Sequence, residues 1–205
     1  MAKIVISENV TLDGVVQDPT GEEGFGRGGW FGQARDLPGW AKLALEDALG
    51  AEALVLGRRS YEYFAARWPS RSGELADRLN SLPKYVVSST LEDPDWNNSI
   101  VMKGDAVEGI TRLRTELDGE ILCLASFQLV RTLVDRGLVD ELRLKVFPVV
   151  LGAGERLFGD TRDTIPMRLV DTTIIDGGVA VLTHELIRAR PASGRELQGP
   201  AGPKE

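Results

Sequence analysis

Hydrophobic and polar positions along this chain change period several times, and each change marks an element. Lys3 to Ser7 is a short β-branched run and predicts an N-terminal strand. From Leu12 to Pro38 the periodicity disappears among Gly, Asp, Glu and Pro, with aromatics at Phe25, Trp30 and Phe31. That composition predicts a long loop, and a loop of this length inside a compact domain is usually functional. Trp40, Leu43, Ala44 and Ala48 then fall on one face of a helix over Trp40 to Leu49, which Gly50 stops. Ala53 to Leu56 predicts a strand that runs straight into the polar helix start "GRRSYEYF".

The alternation continues. Helices are predicted over Gly73–Leu82, Asp105–Leu117 and Ser126–Arg136, and strands over Tyr85–Val87, Ser99–Met102 and Ile121–Leu124, with "SSTLEDPDW" as a loop. Alternating strands and helices predict an α/β domain with a mainly parallel, twisted sheet and helices on both faces. After Gly137 the pattern changes. Glu141 to Val150 alternates Leu142, Leu144 and Val146 against Arg143 and Lys145, and "DGG" at Asp176–Gly178 separates two further strands. These are the signs of antiparallel strands and a C-terminal hairpin. Ala189 to Glu205, rich in Gly, Pro and charge, reads as a disordered tail, leaving one domain over residues 1–188.

Composition narrows the function. The chain has 205 residues, 42% hydrophobic and 27% charged, which is enough to bury a core without disulfides or metal staples. Cys123, the single cysteine, lies in an apolar run and reads as a buried, inert thiol. With one histidine, His184, the chain lacks the usual ligand set for zinc, so no metal is expected; His184 itself reads as a strand residue. A formal net charge of −7 argues against a nucleic-acid partner. No run approaches the ~20 apolar residues that span a bilayer, and the N-terminus is too polar for a secretory signal. No membrane partner and a cytoplasmic location are expected.

Three segments carry candidate chemistry. "LGRRSYE" leaves a strand and opens a helix, where free backbone N–H groups and the helix dipole favour an anion. Gly57 allows close approach, Arg58 can pair with a phosphate, and Ser60 can donate a hydroxyl; a plain helix cap with two surface arginines explains the same residues. Ser88 and Ser89 in "VSSTLED" can cap a turn against a ligand or form a Ser/Thr turn without one. Trp30 and Phe31 can wall a planar substrate by stacking, or anchor their loop to the core.

"VTLDGVV" (Val10–Val16), "LVLGRRSYE" (Leu54–Glu62), "YVVSSTLEDPDW" (Tyr85–Trp96) and "LVDELRLKVFPVVLGAGERLF" (Leu138–Phe158) follow one another in register. Together they resemble the dihydrofolate-reductase-like family that includes the C-terminal reductase domain of the bacterial riboflavin enzyme RibD. The resemblance implies a three-layer fold, NADPH as cofactor, a small-molecule substrate and often a homodimer. It also implies that Val10 and Gly14 lie beside the nicotinamide, and that Ser88 and Ser89 face the adenosine ribose or its 2′-phosphate. Asp13 becomes a candidate acid–base group, although a bare Asp-Gly turn accounts for it equally. These residues hold no deaminase pattern of His and Cys zinc ligands, so the bifunctional riboflavin protein is not expected.

Two departures stand out. Folate-reducing members carry an acid on the helix before the "GR" strand; here the first turn of that helix has Trp40, Ala41 and Lys42, with Asp36 and Glu46 only flanking it. Dihydrofolate is therefore a poor candidate. Relatives also place glycines after the strand ending at Leu124, where this chain has Ala125, Ser126 and Phe127. With a negative φ, Ala125 would add only a methyl group, Phe127 could point away from the anion, and the Ser126 hydroxyl would remain for the pyrophosphate. Leu138–Phe158, with Pro148 at an edge or bulge, is expected to form an edge, with a homodimer built between Asp140 and Val150. The resulting expectation is an NADPH-dependent reductase of a small pyrimidine- or pteridine-like molecule, similar to the phosphoribosylaminouracil reductase of riboflavin biosynthesis. A non-catalytic binding or sensor protein with a relaxed cofactor site is the alternative.

Overall fold

The computed structural model describes residues 1–34 and 38–187. Asp36 and the tail after Ile187 lie outside the described residues. Among these residues eight strands form one sheet, in the order β4-β3-β2-β5-β1-β6-β8-β7. The strands are β1 (Lys3–Thr11), β2 (Ala51–Gly57), β3 (Lys84–Val87), β4 (Ser99–Met102), β5 (Glu120–Leu124), β6 (Glu141–Phe147), β7 (Met167–Ile175) and β8 (Val179–Leu186). The helices are α1 (Pro38–Gly50), α2 (Arg58–Ala65), α3 (Glu74–Ser81), α4 (Ala106–Glu116) and α5 (Phe127–Asp135). Strands β1 to β6 pair in parallel, and β8 returns antiparallel against β6 and β7.

The continuous apolar runs follow from burial on both faces. Ile4 and Ile6 point to a core shared with Ile110 and Leu113 of α4 and Leu129, Val130 and Leu133 of α5. Val5, between them, points the other way, into a core with Ala48 of α1, Tyr61 of α2 and Leu79 of α3. A third apolar cluster joins Trp30 and Phe31 of the long loop to Phe147 and Val179.

Predicted element ends agree to within a few residues, with two informative exceptions. Strand β1 runs on through Glu8 and Asn9 to Thr11, although both are polar. Strand β6 is not an edge: it lies between β1 and β8, with Leu142 registered against both Ile6 and His184. Pro148 follows the end of β6, and so costs no ladder hydrogen bond and makes no bulge in it. The sheet edge on this side is β7, where Leu169, Val170 and Ile174 are exposed. Alternation in Glu141–Val150 was consistent with an edge, but Lys145, counted there as an outward residue, is buried.

One buried cation stabilises the far side of the sheet. Lys84, at the start of β3, is fully buried, and its ammonium donates to the carbonyls of Asn80 (3.0 Å), Leu82 (2.7 Å) and Asn97 (2.9 Å). It lies 4.3 Å from the centre of the Trp96 ring. Lys84→Met keeps the stem and removes all three donors. Leaving buried acceptors unsatisfied costs about 1–3 kcal/mol each, so chemical denaturation should show a loss of at least ~3 kcal/mol. A loss under ~1 kcal/mol would mean that water reaches these carbonyls.

Candidate active site

A cavity of about 780 Å³ opens at the C-terminal ends of β1, β2, β3 and β5. In parallel sheets this is where ligands bind, because neighbouring connections diverge there and leave a crevice. Here the chain leaves β2 toward β3 and β4, then returns to insert β5 between β2 and β1.

The turns after β2 and β5 form one wall, and two serines tie them together. The Gly57 N–H donates to Ser126 Oγ (3.0 Å), the Ser126 hydroxyl donates to the Leu124 carbonyl (2.8 Å), and the Ser60 hydroxyl donates to the Ala125 carbonyl (2.5 Å). Gly57, which has no side chain, is the N-cap of α2, and Ser126 is that of α5 without a side-chain bond into its helix. Helix α4 differs: the Asp105 carboxylate caps it by accepting from the Glu108 N–H (2.9 Å). Two helix amino ends without a side-chain cap therefore meet at the cavity, an arrangement that favours an anion.

Ala125 departs from expectation: its φ is +48°, in the left-handed region. An L-residue is strained there, and the two serine contacts hold it in place. The Ser126 hydroxyl proton is committed to Leu124, not left for a ligand. Phe127 lines the cavity, packs its ring against the core and lies 5.1 Å below the Arg131 guanidinium. Arg58 donates to Glu62 (2.7 Å) and to Thr90 Oγ1, which joins α2 to the loop after β3. In that loop Ser88 Oγ accepts from the Thr90 (3.2 Å) and Leu91 (3.0 Å) N–H groups, a local Ser/Thr turn. Gly57, Arg58, Ser60, Ser88, Ser89, Ala125, Ser126 and Phe127 all line the cavity.

Other predicted residues do not line it. Trp30 is buried edge-on against Phe147 at 5.2 Å, and its indole N–H donates to the Gln17 carbonyl (3.0 Å). It anchors the loop, whereas Phe31 does reach the cavity and meets Trp40 at 4.9 Å. Val10 is a core residue, and Gly14 forms a turn with a φ of +81°. Asp13 accepts from the Thr11 hydroxyl (2.7 Å) and the Leu151 (3.2 Å) and Gly152 (2.8 Å) N–H groups. The Thr11 hydroxyl first, then the two N–H groups, lower Asp13 to about 2, so it carries no proton at neutral pH. Its place is in a clamp between two turns, away from the residues that line the cavity.

The floor contains ionisable groups that the hydrophobic pattern hid. Lys145 of β6 donates to Ser7 of β1 and to Asp47 of α1 (2.8 Å), whose other oxygen accepts from Arg143 (3.0 Å). Burial alone would raise Asp47; the Lys145 charge and hydrogen bond, the Ser7 hydroxyl and Arg143 outweigh it and hold the carboxyl below its ordinary value. The helix before the "GR" strand thus does carry an acid toward the cavity, in its last turn instead of its first. Glu8 is 5% exposed, and its Oε1 has no hydrogen-bond partner among the described residues. Burial raises it to about 8, against the weaker pull of Lys145 and the Ser126 backbone N–H. The available signals were faint: "SEN" interrupting a strand, and Asp47 at helical spacing from Leu43 and Ala44.

Part of the long loop covers the cavity. Arg59 pairs with Glu23 (2.9 Å), Arg67 with Glu22, and the Tyr63 hydroxyl with Thr20 (3.2 Å). Behind these contacts the buried Asp18 carboxylate accepts from the Glu23 and Phe25 N–H groups, each at 3.0 Å.

Two substitutions test this geometry. Ala125→Gly should raise stability by about 1 kcal/mol, because glycine relieves the left-handed strain; an unchanged or lower melting temperature would contradict the strained turn. A neutral Glu8 makes a second, signed prediction. Its folded value lies above the ordinary 4.5, so the stability it contributes is fully present below about 4.5 and is lost as pH rises through about 8. The melting temperature should fall over that window, and Glu8→Gln should flatten the slope.

The family model for the RibD C-terminal domain matches residues 2–181. An uncharacterized protein of Bacillus subtilis (strain 168), YyaP, is 28% identical over 188 residues, covering 89% of this chain and 94% of its own. Among solved structures, a putative riboflavin biosynthesis protein from Shewanella sp. PV-4 superposes with a TM-score of 0.70 at 21% identity, covering 92% of this chain and 100% of that one. A pyrimidine reductase-like protein from Corynebacterium diphtheriae gives 0.66 at 13% identity, over 92% and 93% of the two chains. Dihydrofolate reductase from Enterococcus faecalis, complexed with NADP(H) and RAB-propyl, gives 0.60 at 15% identity, over 90% and 96%. The fold is dihydrofolate-reductase-like, and the chain belongs to the RibD C-terminal domain family.

Proposed function

We propose that this protein is a cytoplasmic NADPH-dependent reductase of a small pyrimidine- or pteridine-like molecule, of the same reaction class as phosphoribosylaminouracil reduction. The observation that carries this reading is the continuity of one cavity. It runs from two helix amino ends beside Arg58 and Arg59 to a floor walled by Phe31 and Trp40. A dinucleotide needs an anion site for the pyrophosphate that joins its two nucleosides and room for two flat rings, and the residues present fit both requirements. NADPH would supply the hydride.

The protein's own part is binding and orientation. The N–H groups at the starts of α2 and α5 and the Arg58 guanidinium hold phosphate oxygens. Ser89, exposed on the loop after β3, lines the same cavity and would serve the adenosine end. Phe31 and Trp40 offer an apolar wall to a planar substrate, and the loop carrying Glu22 and Glu23 keeps water from it. The Asp47–Lys145 pair fixes opposite charges at the floor, where a polar heterocycle would be oriented.

The left-handed Ala125 turn, with its serine hydroxyl already committed, favours the second reading: a protein that binds a ligand in this fold without reducing one. Fluorescence titration with NADPH and NADP⁺ separates the two, since a reductase should bind at least one of them below the millimolar range. Arg58→Ala should weaken NADPH binding by about ten- to a hundredfold, because a charge-assisted contact is worth on the order of 1.5–3 kcal/mol. An unchanged dissociation constant would remove α2 from the phosphate site.

The homodimer implied by the family resemblance is retained, with its contact moved to the exposed β7 edge at Leu169, Val170 and Ile174. Light scattering at micromolar concentration should give twice the chain mass; a monomer mass would refute it.

A further inference from the structure

Glu8 has no part in the reading above, and its setting is unusual. It is a carboxyl group 5% exposed, it lines the cavity, and its Oε1 is buried without a partner among the described residues. Unsatisfied buried oxygens are rare in folded proteins, and one on a residue that lines a ligand cavity points to a missing partner. Its position is specific as well. Ser7 lies in register against Leu124, so Glu8 is level with the turn where an anion would bind, and the Ser126 backbone N–H at the entry to α5 pulls its carboxyl down against burial.

The groups around it settle which form is compatible with an anion. From β6 the Lys145 ammonium acts on Glu8, but that ammonium is engaged by Asp47 of α1 and by Ser7. Asp47 in turn is held by Arg143. From β5 the neighbour is the buried Cys123 thiol, which burial and then Glu8 push well above its ordinary value. The first turn of α5 brings no acidic side chain, and Arg58 and Arg59 line the α2 wall. Among the described residues no cation is therefore dedicated to Glu8. Burial raises it to about 8, so near neutrality it is a carboxylic acid. As an acid it keeps one oxygen that accepts and gains an O–H that donates. Ionised, it would set a second negative charge against the same helix end that the ligand's phosphate needs.

Resting on the dinucleotide reading, we propose that Glu8 is a binding residue for the ligand's anionic group at the Ala125–Phe127 turn, donating its O–H there as a neutral acid, so that binding to the ionised protein takes up one proton. The proton stays on Glu8 in the complex, and no bond to the ligand is made or broken. A carboxyl under the turn thus offers the donor that the Ser126 hydroxyl does not.

The test is NADPH affinity between pH 7 and 9.5 at fixed ionic strength, for the natural protein and for Glu8→Gln. Above pH 7 the second ionisation of the ligand's own phosphate, near 6, is largely complete and adds little slope. The natural protein should bind evenly to about pH 8 and then lose about tenfold in affinity per pH unit, as expected for one linked proton. Glu8→Gln keeps a donor at this place and should bind with a dissociation constant that stays flat across the range. Calorimetry of the natural protein at pH 9, in two buffers of different ionisation enthalpy, should report close to one proton taken up, and needs no variant to fold. Binding with a flat profile, or with no proton uptake, overturns this proposal alone. Absence of NADPH binding at pH 7 overturns the dinucleotide reading and this proposal together.

Discussion

The Ser126 side chain joins three segments that the fold would otherwise leave independent. Its oxygen accepts the backbone N–H that begins α2, and its proton goes to the carbonyl that ends β5. Helices α2 and α5 rise from opposite faces of the sheet, and this hydroxyl sets the separation of their amino ends. The left-handed turn at Ala125, the direction of the Ser126 N–H and the shape of the cavity wall all follow from that fixed separation. A hydroxyl suits the task because it both donates and accepts, which an alanine or a bare glycine turn cannot do.

A second constraint acts below it. A sheet covered on both faces excludes charge except where the covering helices end, and the ionisable groups of this chain collect there. Asp47, Lys145 and Arg143 are stable in that layer because each satisfies another. Glu8 lies on the same strand as Ser7 but one residue along, so it projects to the other face and is left out of the network. One step in register separates a paired ion from a neutral acid.

The layout of the fold was legible in the sequence because it rests on local patterns: continuous apolar runs for parallel strands, periodic faces for α4 and α5, Asp-Gly-Gly for the last turn. The two amino-end segments, Gly57–Ser60 and Ala125–Phe127, were legible for the same reason, each lying directly after a strand. The floor of the cavity was not. Lys145 sits in a clean alternating strand as though it faced solvent, and only the packing of α1 over β6 makes it internal. Asp13 misled in the opposite direction: an acid in a conspicuous motif is spent on the backbone of the turn at Leu151 and Gly152. Whether a polar side chain serves the chain or a ligand depends on contacts made across long stretches of sequence, and no local pattern records those.

The loop from Asp18 to Gly29 is held in two unlike ways. At its root Trp30 and Phe31 are locked into an apolar cluster, and Asp18 organises its interior. Its grip on α2 and the turn just after it consists of two ion pairs between partly exposed side chains and one hydroxyl pair. Exposed pairs of this kind hold weakly, at about 0–1 kcal/mol each. The loop therefore has a firm root and a light catch. Because the catch consists of carboxylates on arginines, an incoming anion competes for the same guanidinium groups: the charge that brings a ligand to the cavity also loosens the cover over it.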